Sequence, residues 1–291
     1  MKKGKAALFV FCLLSFVPPA FSQNVASFIS TLSSFPSRLP GTAGHRAAAD
    51  FIEESFRKAG LIQVHRESFT TVVPVDEGAS LEAGSRKVPL YCVWPNLVRT
   101  STVPPEGISG PLIYGGQGDL HAFSGKNLRG SIAVFDFSCG SRWLDAAMLG
   151  ARAIIFLESD RMSRVEAERK FLSIPVSTPR FYATGQAARE ISALASSGAT
   201  VRLLGRMSWQ QVRDENIVGL LPGRDPKLKD ELIILHAYYD SISVVPALAP
   251  GADSSCGLAA LLTILEHLTQ FRPGRTVMFL ATSSHFQYAA G

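Results

Sequence analysis

The chain has 291 residues, 46% of them hydrophobic and 18% charged, which is enough apolar material for the cores of two ordinary domains. Its formal net charge is +5, but Lys2, Lys3 and Lys5 all precede residue 23, so the 29 basic residues fall to 26 against 24 acidic once that segment is set aside. This near-neutral balance leaves no basic stripe to neutralise phosphates and argues against a nucleic-acid partner.

Residues 1–22 have the layout of a secretory signal peptide: a lysine-rich start, an apolar run from Ala6 to Val17, and small residues at Ala20 and Ser22. Cleavage is expected after Ser22, which places the protein outside the cytoplasm, periplasmic or secreted. The run is shorter than the ~20 apolar residues a bilayer crossing needs, and no later stretch is long and uncharged enough to span. Cys92, Cys139 and Cys256 remain after processing. Cys92 with Cys139 is the expected pair in an oxidising compartment, and the spacing is too open for a cysteine zinc site.

Residues 23–68 read as an N-terminal helical part. Within 41–60, Ala48, Phe51, Ile52, Phe56 and Ala59 recur at helical spacing, and the run closes on Gly60. Residues 69–206 change to short β-rich runs with Pro/Gly punctuation, one helix at 144–149 and a strand at 153–157; this reads as a separate inserted domain. Gly115, Gly116 and Gly118 form a plain turn, because no helix pattern follows them directly. Residues 207–291 alternate strand (217–221), strand (232–236), helix (255–271) and strand (276–281). The fold class is therefore α/β, a mixed sheet covered by helices, with a β-rich insertion. Three strands after residue 216 are too few to close such a sheet, so the sequence reads as a segment of a longer chain.

Chemistry-bearing residues gather at the expected carboxyl ends of strands, where open α/β sheets bind ligands. His236, Tyr238 and Asp240 alternate and would share one face of an extended strand. Asp253 stands at the expected start of a helix, the ordinary place for an N-capping carboxylate. Ser283, Ser284, His285 and Phe286 follow the last strand.

At these positions the sequence resembles a known family, the exported two-zinc aminopeptidases of peptidase clan MH related to glutamate carboxypeptidase and the transferrin receptor ectodomain. Ser37-Arg38-Leu39-Pro40-Gly41-Thr42 is similar to the family's "R-x-P-G-(S/T)". Asn216 to Gly223 is similar to "N-V-I-A-x-L-P-G". Runs at 110–114, 128–133, 146–155 and 174–176 resemble the protease-associated domain found inserted there. The resemblance implies a helix-covered sheet of the zinc-exopeptidase type, zinc as cofactor, and a peptide or protein ligand.

Carried over one position at a time, the resemblance also implies a damaged site. The family's "G-A-H-Y-D-S" falls on His236 to Ser241, so the ligand histidine is Tyr238 and the orienting carboxylate is Asp240. "D-D-N-x-S-G" places the metal-bridging aspartate on Asp253. "E-E-x-G-L-x-G" falls on His285 to Gly291, so the general-base glutamate is His285 and a ligand glutamate is Phe286. A phenol is a poor replacement for imidazole, and a phenyl ring has no lone pair to give a zinc ion. The implied function is a zinc-aminopeptidase-like protein, impaired or inactive in catalysis, that binds peptide or protein. Two alternatives stand beside it. One is an active metallo-exopeptidase with an altered site, in which His236 joins Asp240, Asp253 and His285 on a single metal. The other is a cysteine hydrolase with Cys256 at a helix N-terminus and His285 as its base.

Overall fold

A computed structural model describes residues 19–96, 98–160, 163–170 and 174–287. The apolar run of the expected signal peptide lies outside the described residues; helix α1 (Pro19–Ser33) begins before the expected cleavage point. Helix α2 (Ala43–Lys58) starts where Thr42 accepts a hydrogen bond from the His45 amide. It buries His45, Ala48, Ala49, Ile52 and Phe56 along one stripe. Arg57 and Lys58 sit in its last turn, where cations suit the carbonyl end of the helix. Gly60, at φ +80°, then reverses the chain.

Two 22-residue strands, β1 (Ile62–Ala83) and β7 (Thr200–Leu221), pair antiparallel. Between them in sequence lie β2 (Arg86–Cys92), β3 (Ile108–Gly116), β4 (Ile132–Asp136), β5 (Ala153–Leu157) and β6 (Arg180–Ala183), with helices α3 (Trp143–Met148), α4 (Arg164–Glu168) and α5 (Gly185–Ser196). The pairing order β1-β2-β6-β5-β4-β3-β7, together with the β1–β7 pairing, closes this region into a ring. The expected domain boundaries at 69 and 206 fall inside β1 and β7, so a two-stranded ribbon rather than a loop joins the region to the remainder. The turn at 115–118 is present, with Gly116 at φ +53° and Gly118 at φ +82°, a conformation glycine adopts without strain.

The expected Cys92–Cys139 bond is not formed; both are free, buried thiols. Cys92 packs with Leu81, Leu112 and Val134 in one core, whereas Cys139 packs with Trp143, Phe135 and Phe156 in another. Cys92 Sγ instead donates to the carbonyl of Ser101 at 3.4 Å. Burial raises both thiol pKa values, which further suppresses thiolate chemistry. Of the three cysteines beyond residue 22, only Cys256 is exposed. A maleimide should therefore label Cys256 alone in native protein and all three after unfolding without reductant. Labelling of a single site in the unfolded protein would contradict the free-thiol assignment.

The rest of the sheet continues from β7 through β9 (Thr276–Thr282) to β8 (Leu232–Tyr238), with β7 and β9 antiparallel and β8 and β9 parallel. Helix α6 (Ala252–Gln270) connects β8 to β9, the ordinary way of joining parallel neighbours. A third core unites α1, α2 and α6 with these strands, and Phe56 meets Phe279 edge to face at 6.2 Å. Helix α6, although almost wholly apolar from Gly257 to Leu268, is buried on one side: Leu258, Leu261, Leu262 and Leu265 are covered, while Ile264 is 37% exposed. The observed fold is α/β with a mixed sheet, as the element pattern implied.

Candidate functional site

The site forms where three chain segments leave or enter regular structure. β8 ends at Tyr238, and the backbone turns inward. Tyr239 still donates its amide to the Thr282 carbonyl at 2.9 Å, but Asp240 is fully buried while His236 remains exposed. The expectation that His236, Tyr238 and Asp240 share one face fails for Asp240, because the strand stops before it. The loop 241–250 then returns past Ser37, pairing it with Ala249. Gly251 starts α6 at φ +57°, and a β-carbon at that position would fall 2.6 Å from Ser241 Cβ, so only glycine fits this turn. Gly251, not Asp253, is the N-cap; Asp253 is exposed in the first turn.

Arg38 holds this loop. Its side chain is 0% exposed. Nε donates to Tyr239 O at 2.9 Å, Nη1 to Leu32 O at 2.8 Å and to Pro250 O, and Nη2 to Gly251 O at 3.0 Å. Its backbone amide reaches Ala249 O at 3.0 Å, and Ser241 returns an amide bond to Arg38 O at 3.2 Å. Burial lowers the guanidinium pKa to about 10, opposed by nearby Asp240. On the other side the loop is tied to the ring of strands, since Trp94 donates its amide to Val244 O at 2.7 Å.

The third segment follows β9. Ser283 donates its amide to Asn216 Oδ1 at 3.1 Å. Ser284 is buried at φ +56°, an uncommon conformation for a residue with a side chain, and its hydroxyl donates to Asp214 Oδ2 at 2.5 Å. The chain is thereby turned so that the Phe286 amide points at Asp240 Oδ2, 3.4 Å away. Among the described residues Asp240 Oδ1 has no hydrogen-bond partner. Burial pushes the Asp240 carboxyl up to about 7, against the lowering effect of the Phe286 and His285 amides.

His285 and Phe286 meet Tyr238 in a ring cluster. The imidazole of His285 stacks on the Tyr238 ring with centroids 4.1 Å apart and planes 5° from parallel. Phe286 stands edge-on to both, at 5.6 Å from Tyr238 and 5.1 Å from His285. Stacked and edge-to-face contacts of this kind each contribute about 1 kcal/mol beyond burial. His236, two residues back along β8, is instead held by Thr282, with Nε2 and Oγ1 2.7 Å apart.

A second polar network, not anticipated from the sequence, supports this segment from below. His45 Nε2 lies 2.7 Å from Ser283 Oγ and 3.4 Å from Asp214 Oδ1. The imidazole stacks on Tyr239 at 4.8 Å, and Tyr239 donates its hydroxyl to Glu215 O at 2.8 Å. Burial lowers the His45 pKa to about 4; Asp214 and Glu215 oppose this, and Arg38 and Arg46 reinforce it. Serine and aspartate share the same ring nitrogen, so this is a structural strut rather than a relay in which each would occupy its own nitrogen. The one sequence signal for it is a histidine on the apolar stripe of α2. A cleft of about 390 Å³ opens beside it, whereas a larger groove, about 720 Å³, lies away from the strand ends between α1, α2 and α6.

Among the described residues no three His, Cys, Asp or Glu side chains converge on a common point. The single-metal arrangement of His236, Asp240, Asp253 and His285 is therefore not assembled. His236 is bonded to Thr282, Asp240 is buried, Asp253 lies exposed on α6, and His285 is stacked on a ring. Cys256 and His285 are not paired either. Cys256 is the fifth residue of α6, beyond its first turn, and its Sγ points back to Ala252 O at 3.7 Å.

Residues 216–284 match the family described as Peptidase family M28. No curated protein is significantly similar to the chain. Among solved structures, the chain is similar to BSAP, a zinc aminopeptidase from Bacillus subtilis, at 21% identity and TM-score 0.60, covering 90% of this chain and 61% of that one. It is also similar to a peptidase M28 precursor from Shewanella amazonensis, at 19% identity and TM-score 0.52, covering 90% of this chain and 66% of that one. The chain thus spans about 61% of the length of the Bacillus subtilis protein.

Zinc, the metal named for that neighbour, does not fit the residues present here. A zinc site needs several nitrogen, oxygen or thiolate donors at about 2.0–2.3 Å. Phe286 offers none, and among the described residues the donors of His285, Asp240 and Asp253 do not converge on a common point. Among the described residues Asp240 Oδ1 is a buried acceptor without a partner, and a lone carboxylate oxygen does not hold the ion. The chain has the α/β fold of zinc aminopeptidase structures, with its family M28 likeness lying in residues 216–284.

Proposed function

We propose that this is an exported, zinc-aminopeptidase-like protein in which the hydrolytic site has been replaced by an aromatic platform, and that it acts by binding peptide or protein. The observation that supports this reading is the mutual packing of Tyr238, His285 and Phe286 at the three positions where the family resemblance expects a ligand histidine, a general base and a ligand glutamate. A metal-activated water needs cations to bring its pKa near neutrality. Without two cations held there, His285 has no activated water to deprotonate. What the cluster offers instead is an apolar, partly open surface at the carboxyl edge of the sheet, where α/β folds bind ligands. The inserted region, read as a protease-associated domain, would serve access or protein contact rather than chemistry.

The test uses Phe286→Ala and His285→Ala with a panel of labelled peptides and an aminopeptidase substrate. Peptide affinity should fall by about tenfold in at least one variant. The wild type should release no product with or without added zinc. Product release that a chelator abolishes would overturn the proposal.

A further inference from the structure

Every strand of the inserted ring has two neighbours, because the β1–β7 pairing closes the order β1-β2-β6-β5-β4-β3-β7, so no open edge exposes side chains there. Three large apolar side chains nevertheless stand out from it: Leu120, Met148 and Leu149 are 64%, 76% and 50% exposed. Leu120 opens the 3₁₀ turn Leu120–Phe123 that follows β3. Met148 and Leu149 close α3, where Gly150 at φ +97° reverses the chain. Leu120 and Leu149 line one cleft of about 320 Å³, with the buried Phe123 and Leu128 beneath them and Lys126 and Asn127 on its rim. Arg129 stands close by: a β-carbon on Gly150 would fall 3.2 Å from Arg129 Cα, so its backbone lies against the end of α3. Lys126, Arg129 and Arg152 are all exposed. Against them stand Asp119, already held by Arg142 at 3.2 Å, and Asp145, half-buried on α3. The surroundings of the cleft are therefore positive on balance.

We propose that this cleft docks an acidic segment of a partner polypeptide, with a bulky apolar side chain seated between Leu120 and Leu149 and carboxylates against Lys126 and Arg129. The inference rests on reading the inserted region as a protein-contact module, and it supplies the contact surface. Exposed apolar patches rimmed by polar groups mark such surfaces, and binding energy concentrates where an anchor side chain fills a pocket. A concavity holds a discrete anchor, whereas a bilayer takes up a protruding apolar face, so the cleft favours a polypeptide over a lipid surface. The exposed cations select the sign of the partner's charge, because a basic segment would meet like charge.

The probe is an acetylated, amidated, fluorescein-labelled heptapeptide, Asp-Glu-Leu-Glu-Phe-Asp-Glu. One control replaces its leucine and phenylalanine with serine, and a second replaces its carboxylates with amides. Fluorescence anisotropy should show saturable binding of the parent that weakens with added salt, and binding at least about tenfold weaker for each control. Leu120→Glu, at an exposed position that should tolerate the change, should weaken the parent by about tenfold or more, and His285→Ala should leave it unchanged. Oxidation by hydrogen peroxide, read by mass spectrometry, gives a footprint. In the protein alone Met148 should be oxidised well before Met207, which is 3% exposed, and bound parent peptide should slow it. Oxidation of Met148 no faster than Met207 would overturn the proposal, because the protein's own chain would then cover the cleft. So would no saturable binding of the parent, equal affinity for either control, or no effect of Leu120→Glu. Binding to phosphatidylglycerol vesicles without peptide binding would overturn it in favour of a membrane. A wild-type dimer that Leu120→Glu converts to monomer would overturn it in favour of a second copy. Parent binding that survives Leu120→Glu but is lost in His285→Ala would remove this cleft and leave the peptide-binding reading of the ring cluster standing.

Discussion

Arg38→Met should destabilise the fold by about 4 kcal/mol or more, read as a fall in the urea midpoint at unchanged slope. The substitution keeps an apolar chain of similar length but removes every donor from a side chain that is 0% exposed. The carbonyls of Leu32, Tyr239, Pro250 and Gly251 would be left without this partner. Each such orphan costs about 1–3 kcal/mol where it stays buried. Arg38→Lys should recover little, because an ammonium cannot reach four carbonyls spread around a planar fork. The loss should also be local in character. The loop 241–250 and the start of α6 would open first, and amide exchange there should accelerate before the ring of strands is affected.

A pair of opposed pH dependences gives the second large effect. His45 has a folded pKa near 4 against about 6.5 unfolded, so between these values the unfolded chain binds more protons and stability is lost as pH falls. Asp240 has a folded pKa near 7 against 3.8 for the free side chain, so between these values the folded chain binds more protons and stability is lost as pH rises. Each is worth roughly 3–4 kcal/mol between about pH 4 and 7, with opposite sign. In the wild type the two contributions largely offset each other. Single variants should separate them. Relative to wild type, His45→Gln should gain stability as pH falls from about 7 to about 4, and Asp240→Asn should gain stability as pH rises over the same range. Denaturation curves at several pH values check both. Parallel curves for wild type and both variants would show that neither group is held as described.

Periodicity located most of the regular structure. The stripe Ala48, Ile52 and Phe56 marks α2, the run Ala153–Leu157 is a strand at those bounds, and α6, β8 and β9 lie within three residues of expectation. The length of β1 and β7 was not legible, because hydropathy alternates weakly through their middle residues, although Val73 is buried in a core there and Val75 and Val212 pack against it. Local signals also misplaced particular side chains. Asp253 has the residue type of an N-cap, yet the left-handed turn at Gly251 starts the helix two residues earlier. Asp240 keeps the strand's alternation in sequence, yet Arg38 and the loop it holds draw the chain inward.

For the candidate site the resemblance names positions and not a geometry. The motif resemblance picks out Tyr238, His285 and Phe286 as replacements, but nothing in their spacing says that the rings pack on one another. That packing depends on Ser284, whose left-handed backbone and bond to Asp214 turn the chain after β9. The strut of His45, Asp214 and Ser283 has its ends 238 positions apart in the chain and leaves no local pattern beyond a histidine among apolar residues.

If rings now fill the positions where zinc would be held, the purified protein should refuse the metal. The decisive measurement is its zinc content after exposure to excess zinc and gel filtration. Packing of Tyr238, His285 and Phe286 on one another predicts far less than one zinc per chain, and no change in thermal midpoint on adding zinc or chelator. About two zinc per chain, removed by chelator together with aminopeptidase activity, would contradict it.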